Sequence, residues 1–146
     1  MNAYPNTFQP ALDRPIPPIP TLPALAAGLS LFAAGIHAWV VPEHLEEWWG
    51  YGAFFLALTL AQALYAVLVL RSRRPAILVL GLVGTLATLT LYAWSRLVAV
   101  PLGPMAGEVE EVGRLDTLCN AAEVALVLVS IVLLARALTA RRGGTA

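Results

Sequence analysis

The sequence predicts an all-α integral membrane protein: an up-down four-helix bundle with both termini on the cytoplasmic side. Three observations predict it. Four apolar runs are each long enough to cross a bilayer. Arginine gathers at one set of turns, whereas both histidines and every acidic residue except Asp13 gather at the other. The composition is 59% hydrophobic and only 12% charged, against roughly 25% charged residues in an average soluble domain. The chain contains no lysine, so all nine of its cations are arginine. A formal net charge of zero gives no reason to expect nucleic-acid binding, and the single Cys119 rules out an internal disulfide.

Residues 1–21 form a Pro-rich tail with Pro5, Pro10, Pro15, Pro17, Pro18 and Pro20. Proline lacks an amide hydrogen and disfavours helix in the residue before it. The tail is therefore expected to be extended, either a docking arm or a solvated leader. It lacks the basic start and short apolar core of a secretory signal, so the N-terminus is expected to be retained with the first helix as an uncleaved anchor.

The bundle is expected over 22–138, with helices at about 22–41, 48–70, 75–100 and 115–138. A hydrocarbon core of ~30 Å takes about 20 residues at ~1.5 Å each, and all four runs reach that length. Leu, Ala and Val dominate without strand-like alternation. The second and third runs are apolar on every side, whereas a soluble bundle needs a polar stripe on each helix. Small residues are expected to let helices approach: Ala24, Gly28 and Gly35 on the first, Gly81, Gly84 and Thr85 on the third. A basic tail, 139–146, closes the chain.

Orientation follows from arginine. The loop Arg71–Arg74 carries three, the C-terminal end carries Arg136, Arg141 and Arg142, and the opposite side has only Arg96 and Arg114. By the positive-inside rule the termini and the middle loop are cytoplasmic and the two acidic loops face outward. Trp39, Trp48, Trp49, Trp94, Tyr51 and Tyr92 lie toward that outer side as an aromatic belt.

The candidate site residues lie at the same end. Asp116, Asn120 and Glu123 are spaced i, i+4, i+7 and share a helix face, with Cys119 beside them. Glu123 is about two turns inside the fourth helix, where an unpaired carboxylate costs a few kcal/mol. It either serves a functional site or is satisfied structurally, by Arg96, Arg114, Tyr92 or Gln62. His37 and His44 are seven residues apart and would share a face if the helix ran through Pro42; Pro42 equally suits the first turn of a separate short helix. In that second case Glu43 and Glu47 share a face and His44 pairs with Glu47. Arg96, near Tyr92 and Ser95, is expected to pair internally with Asp116 or Glu123. Gln62 lies near mid-membrane and needs a partner. Glu108, Glu110 and Glu111 are placed to favour the start of the fourth helix.

Two overlapping residue sets follow. His37, Arg96, Asp116, Asn120, Glu123, Gln62 and Tyr92 are the candidates for a ligand or proton site. His37, His44, Glu47, Asp116, Cys119 and Glu123 are the candidates for a transition metal, Zn, Cu, Fe or Mn. No CxxC, HExxH or paired ExxH motif appears.

The stretch from His44 to Phe55, HLEEWWGYGAFF, followed by Gln62 and Tyr65, resembles small uncharacterised bacterial four-helix integral membrane proteins. The segment from Arg96 to Pro104, with Glu108, Gly113 and Asp116, is similar to the same group. The outline is also similar to DoxX-like proteins, without motifs that place it among them. The resemblance implies four helices and a membrane location and brings no activity or cofactor. Three functions remain open: an outward-facing acid/His site for a metal ion or small polar ligand, in transport or redox service; an accessory or assembly subunit of a larger membrane complex; and an intramembrane enzyme using Glu123 and His37 on a lipid-like substrate. The expected partners are the cell-membrane lipid bilayer and other membrane subunits or further copies of the chain.

Overall fold

The structure is a computed structural model that describes residues 21–72 and 74–143. The Pro-rich tail lies outside the described residues except for Thr21. Four helices account for most of the rest: α1 (Thr21–Glu47), α2 (Trp49–Arg71), α3 (Pro75–Leu97) and α4 (Arg114–Gly143). Each is long and apolar enough to cross a membrane. They form a four-helix bundle in which α1 packs most closely along α2, α4 lies against both α1 and α3, and α2 and α3 touch least.

Helix ends depart from the expected ones in three places. α1 continues through Pro42 to Glu47, so no separate short helix forms. Proline removes one main-chain donor, but an apolar helix held by neighbours tolerates that loss. The break comes instead at Trp48, whose backbone is extended (φ −167°, ψ 133°). α3 stops at Leu97, and α4 runs on to Gly143, so much of the segment expected as a basic tail is helical. Asp116, not the Glu108–Glu111 run, meets the free donors at the start of α4: its Oδ2 accepts from the Gly113 N–H at 3.0 Å.

Polarity is inverted relative to a soluble bundle. Ser30, His37, Gln62, Thr85, Glu123 and Ser130 are buried, while Phe32, Leu60, Leu64, Leu80, Val83 and Leu128 face outward. That exterior suits hydrocarbon, where polar groups must find partners inside the protein. Ala26, Ala27, Tyr65, Ala66, Val69, Leu78, Leu126 and Leu133 form a dense core toward the arginine-rich end. On α1 the buried stripe is Ala26, Ser30, Ala33 and His37, recurring every three or four residues. These small side chains bring α1 close enough for the Ser30 hydroxyl to donate to the Gln62 main-chain carbonyl at 2.8 Å.

Not every small residue serves packing. A Cβ added at Gly28, Gly35 or Gly84 would meet only open space, whereas one at Gly81 would strike the Tyr65 ring. That ring is fixed by its hydroxyl, 3.2 Å from Ser130 Oγ. Gly81→Ala is therefore expected to destabilise by about 1 kcal/mol, overpacking of ~1–3 kcal/mol being partly offset by the better helix former. Gly84→Ala should be neutral or mildly stabilising. Thermal unfolding of the two variants in detergent checks the contrast.

Candidate functional site

The end of the bundle opposite the dense core is hollow. A cavity of about 610 Å³ opens there, walled by all four helices and by the α3–α4 connection. The volume falls in the ~300–1,000 Å³ range of small-molecule sites. Its rim carries Glu43, His44, Glu47, Arg96, Glu110, Glu111 and Asp116. Below them lie Val40, Phe54, Phe55, Leu91 and Tyr92, and deeper still Ile36, His37, Leu58, Thr88, Cys119 and Glu123.

Most of the candidate residues read from the sequence border this one space. His37, His44, Glu47, Tyr92, Arg96, Asp116, Cys119, Asn120 and Glu123 all line it, whereas Glu46 and Glu108 do not. Because α1 passes through Pro42 as helix, His37 and His44 come two turns apart on the same side. Gln62 sits behind the wall and joins two of the lining residues.

Gln62 is the hub of the floor. Its Nε2–H donates to Glu123 Oε1 at 2.7 Å, and its Oε1 lies 2.9 Å from His37 Nδ1. A carbonyl oxygen only accepts, so Nδ1 carries the proton and His37 Nε2 keeps its lone pair. That lone pair faces Cys119 Sγ at 3.5 Å. Donor atoms of His37, Cys119 and Glu123 all lie within 4.8 Å of one another, and all three residues are buried. Glu123 is only 1% exposed. Of the structural partners open to it, the one found is Gln62, not Arg96, Arg114 or Tyr92.

The other metal candidates stand apart from this cluster. His44 Nδ1 donates to the Val40 carbonyl at 2.8 Å, and its ring packs on Phe55 with centroids 4.2 Å apart. Asp116 accepts from Arg96 Nη2 at 2.8 Å. Glu47 stays at the rim. His44, Glu47 and Asp116 thus bring no donor to the His37–Cys119–Glu123 group. Depth separates them: Asp116 and Glu123 share a helix face, but seven residues of helix put them ~10 Å apart along it.

Arg96 organises the rim. Its guanidinium bonds Asp116 and Glu110 and lies over the Tyr92 ring, 4.8 Å from the centroid. Glu110 as its second partner was not apparent from the sequence, because three glutamates in a short loop offered equivalent charges. Of the two expected partners, Asp116 is the one found, and Glu123 is not paired with Arg96.

The loop from Val98 to Gly113 contributes Val100, Pro101, Leu102, Glu110 and Glu111 to the cavity wall. The Val100 N–H donates to the Glu108 carbonyl at 2.7 Å, and Gly107 N–H donates to the Val100 carbonyl at 3.0 Å. Gly103 adopts φ +89°, a left-handed conformation that side-chain-bearing residues disfavour. Tyr51 of α2 ties this loop down. Its hydroxyl donates to the Leu102 carbonyl at 2.8 Å and accepts from the Met105 N–H at 3.2 Å. Tyr51→Phe is expected to cost about 1 kcal/mol or slightly more for the two lost bonds. Hydrogen exchange should accelerate at Leu102–Met105 and stay unchanged in the core around Val69 and Leu126.

Thr85 and Thr88, on the same helix as Tyr92, turn their hydroxyls back to their own main chain. Each hydroxyl donates to the carbonyl four residues back on its own helix, Gly81 and Gly84. The buried polar column continues below Gln62 through the Tyr65–Ser130 pair instead.

Comparison with protein families, with curated proteins and with solved structures gives no match to this chain. Function is therefore argued from the cavity and its floor.

His37, Cys119 and Glu123 at the floor could hold a metal ion. Imidazole, thiol and carboxylate suit a borderline or soft cation. A tetrahedral ion with bonds of ~2.3 Å to sulfur and ~2.0–2.1 Å to nitrogen holds those two atoms about 3.5 Å apart. Cys119 Sγ and His37 Nε2 already have that separation. The outer hydrogen bond on His37 Nδ1 is the kind that orients a ligating imidazole.

Proposed function

We propose that this is a multi-pass membrane protein of up-down topology, with both termini cytoplasmic, whose outward-facing acid/His cavity binds a transition-metal ion, zinc or copper, at its floor. His37 Nε2, Cys119 Sγ and the free oxygen of Glu123 are the protein ligands. Arg96, Asp116, Asn120 and Tyr92 belong to the wall above them.

The observation that carries this is the 3.5 Å separation of Sγ and Nε2. Behind it stands a hydrogen-bond chain that leaves Nε2 unprotonated and turned toward the thiol. An ion held by these three residues would keep room for a further ligand from the cavity, as in sites that exchange water or a substrate. Binding requires loss of the thiol proton, so affinity should rise with pH. An open site that faces the outer side suits taking up or handing on an ion better than a purely structural role.

The arginine distribution supports the orientation, with Arg71, Arg74, Arg136 and Arg141 at the end away from the cavity. Exposed Trp39, Trp49 and Trp94 near the acidic end suit a headgroup belt.

The test is direct. Purified, metal-free protein is titrated with Co2+. One equivalent should bind and give the charge-transfer absorption of a cobalt thiolate. Absence of that band, together with no thermal stabilisation by Zn2+ or copper, overturns the metal assignment. Topology is checked separately in a Cys119→Ala background: a cysteine in place of Glu46 should react with an impermeant thiol reagent from outside, and one in place of Arg74 only from inside. Reaction of both from one side overturns the orientation.

A further inference from the structure

We infer that the cavity above the metal donors accepts a lipophilic organic cation, an ammonium-type head carrying apolar or aromatic substituents. This ligand is distinct from the metal and rests on the upper wall as well as the floor.

The first argument is charge. Six carboxylates line the cavity, Glu43, Glu47, Glu110, Glu111, Asp116 and Glu123, against the single guanidinium of Arg96. Arg96 is already committed to Glu110 and Asp116. The remaining four have no ion-pair partner among the described residues. Low-dielectric walls concentrate the field of such a cluster and raise the local concentration of cations.

The second argument is the depth of Glu123. It is 1% exposed and lines the cavity. One oxygen accepts from Gln62, and the other takes no hydrogen bond among the described residues. A buried carboxylate with an oxygen turned into a cavity is a counter-ion position.

The third argument separates an organic cation from a hydrated inorganic one. Trp48, Tyr51, Phe54, Phe55 and Tyr92 bring aromatic surface to the wall, with Leu58 and Leu91 between them. Aromatic faces attract cations and favour weakly hydrated ones. Arg96 over Tyr92 is an internal instance, with the guanidinium carbon 4.8 Å from the ring centre. About 610 Å³ is far more than one metal ion needs and is enough for a drug-sized molecule.

The test uses two ions of the same shape and opposite charge. Full-length protein, stripped of metal, is titrated in detergent with tetraphenylphosphonium and with tetraphenylborate by calorimetry. Tetraphenylphosphonium should bind at least about tenfold more tightly than tetraphenylborate. Glu123→Gln should weaken it by about tenfold or more, since a desolvated counter-ion is lost. Glu47→Gln, at the rim, puts folding at no risk and should weaken it by about threefold. Equal binding of the two ions, or phosphonium binding unchanged by both substitutions, overturns the inference. Because the protein is metal-free throughout, the result does not depend on whether the three floor donors hold a metal.

Discussion

Gln62→Leu is expected to destabilise the protein by about 2–6 kcal/mol, roughly 1–3 kcal/mol for each of the two buried groups it strands. The side chain is similar in size and more apolar, so a hydrophobicity argument alone predicts a gain. The structure predicts the opposite. Gln62 is the partner of both His37 Nδ1 and Glu123 Oε1, and all three side chains are buried. Leucine leaves an imidazole N–H and a carboxylate facing hydrocarbon. Metal affinity should fall as well, by about 10–100-fold, the usual loss when an outer partner of a ligating histidine is removed. Equilibrium unfolding in mixed detergent micelles reads the stability, with the outward-facing Leu64→Ala as a control expected to change little. A Gln62→Leu protein as stable as the parent would show that His37 and Glu123 find other partners.

Cys119→Ser separates the two effects that Gln62→Leu combines. Serine retains a hydroxyl that donates to His37 Nε2, as the thiol does across 3.5 Å. Stability should therefore change by less than about 1 kcal/mol. A neutral hydroxyl is a poor ligand for zinc or copper compared with a thiolate, so affinity should fall by about 100-fold or more. The cobalt thiolate absorption should vanish. Calorimetric titration with Zn2+, beside the same unfolding measurement, reads both. A Cys119→Ser protein that binds Zn2+ as well as the parent would remove the sulfur from the ligand set.

Much of the fold was legible because hydrocarbon is an undiscriminating solvent. It asks only for length and apolarity, and runs such as Trp49–Arg71 supply both. The meeting of His37, Arg96, Asp116, Cys119 and Glu123 around one space was legible because antiparallel helices return to the same end at every second connection. What escaped was direction and depth. Spacing put Asp116, Asn120 and Glu123 on one face, yet only Glu123 is low enough to meet His37. Gln62 was marked as needing a partner, but nothing local said that it would take two. Pro42 was ambiguous because its ring suits both a helix start and a tolerated interruption. The glycines misled in a similar way: Gly28 and Gly81 look alike in sequence, and only the second lies under a neighbouring ring.

The bond between Gln62 and Glu123 spans 61 residues. It also sets an order of biogenesis. When α4 leaves the ribosome it carries a carboxylate that lipid alone rejects by a few kcal/mol, about the cost of one charge near a helix centre. The donor that accommodates it was synthesised two helices earlier and is already in the membrane. Insertion of the last helix is thereby coupled to correct placement of the second. A chain in which α2 is misinserted should leave α4 stalled at the translocon and exposed to quality-control proteolysis.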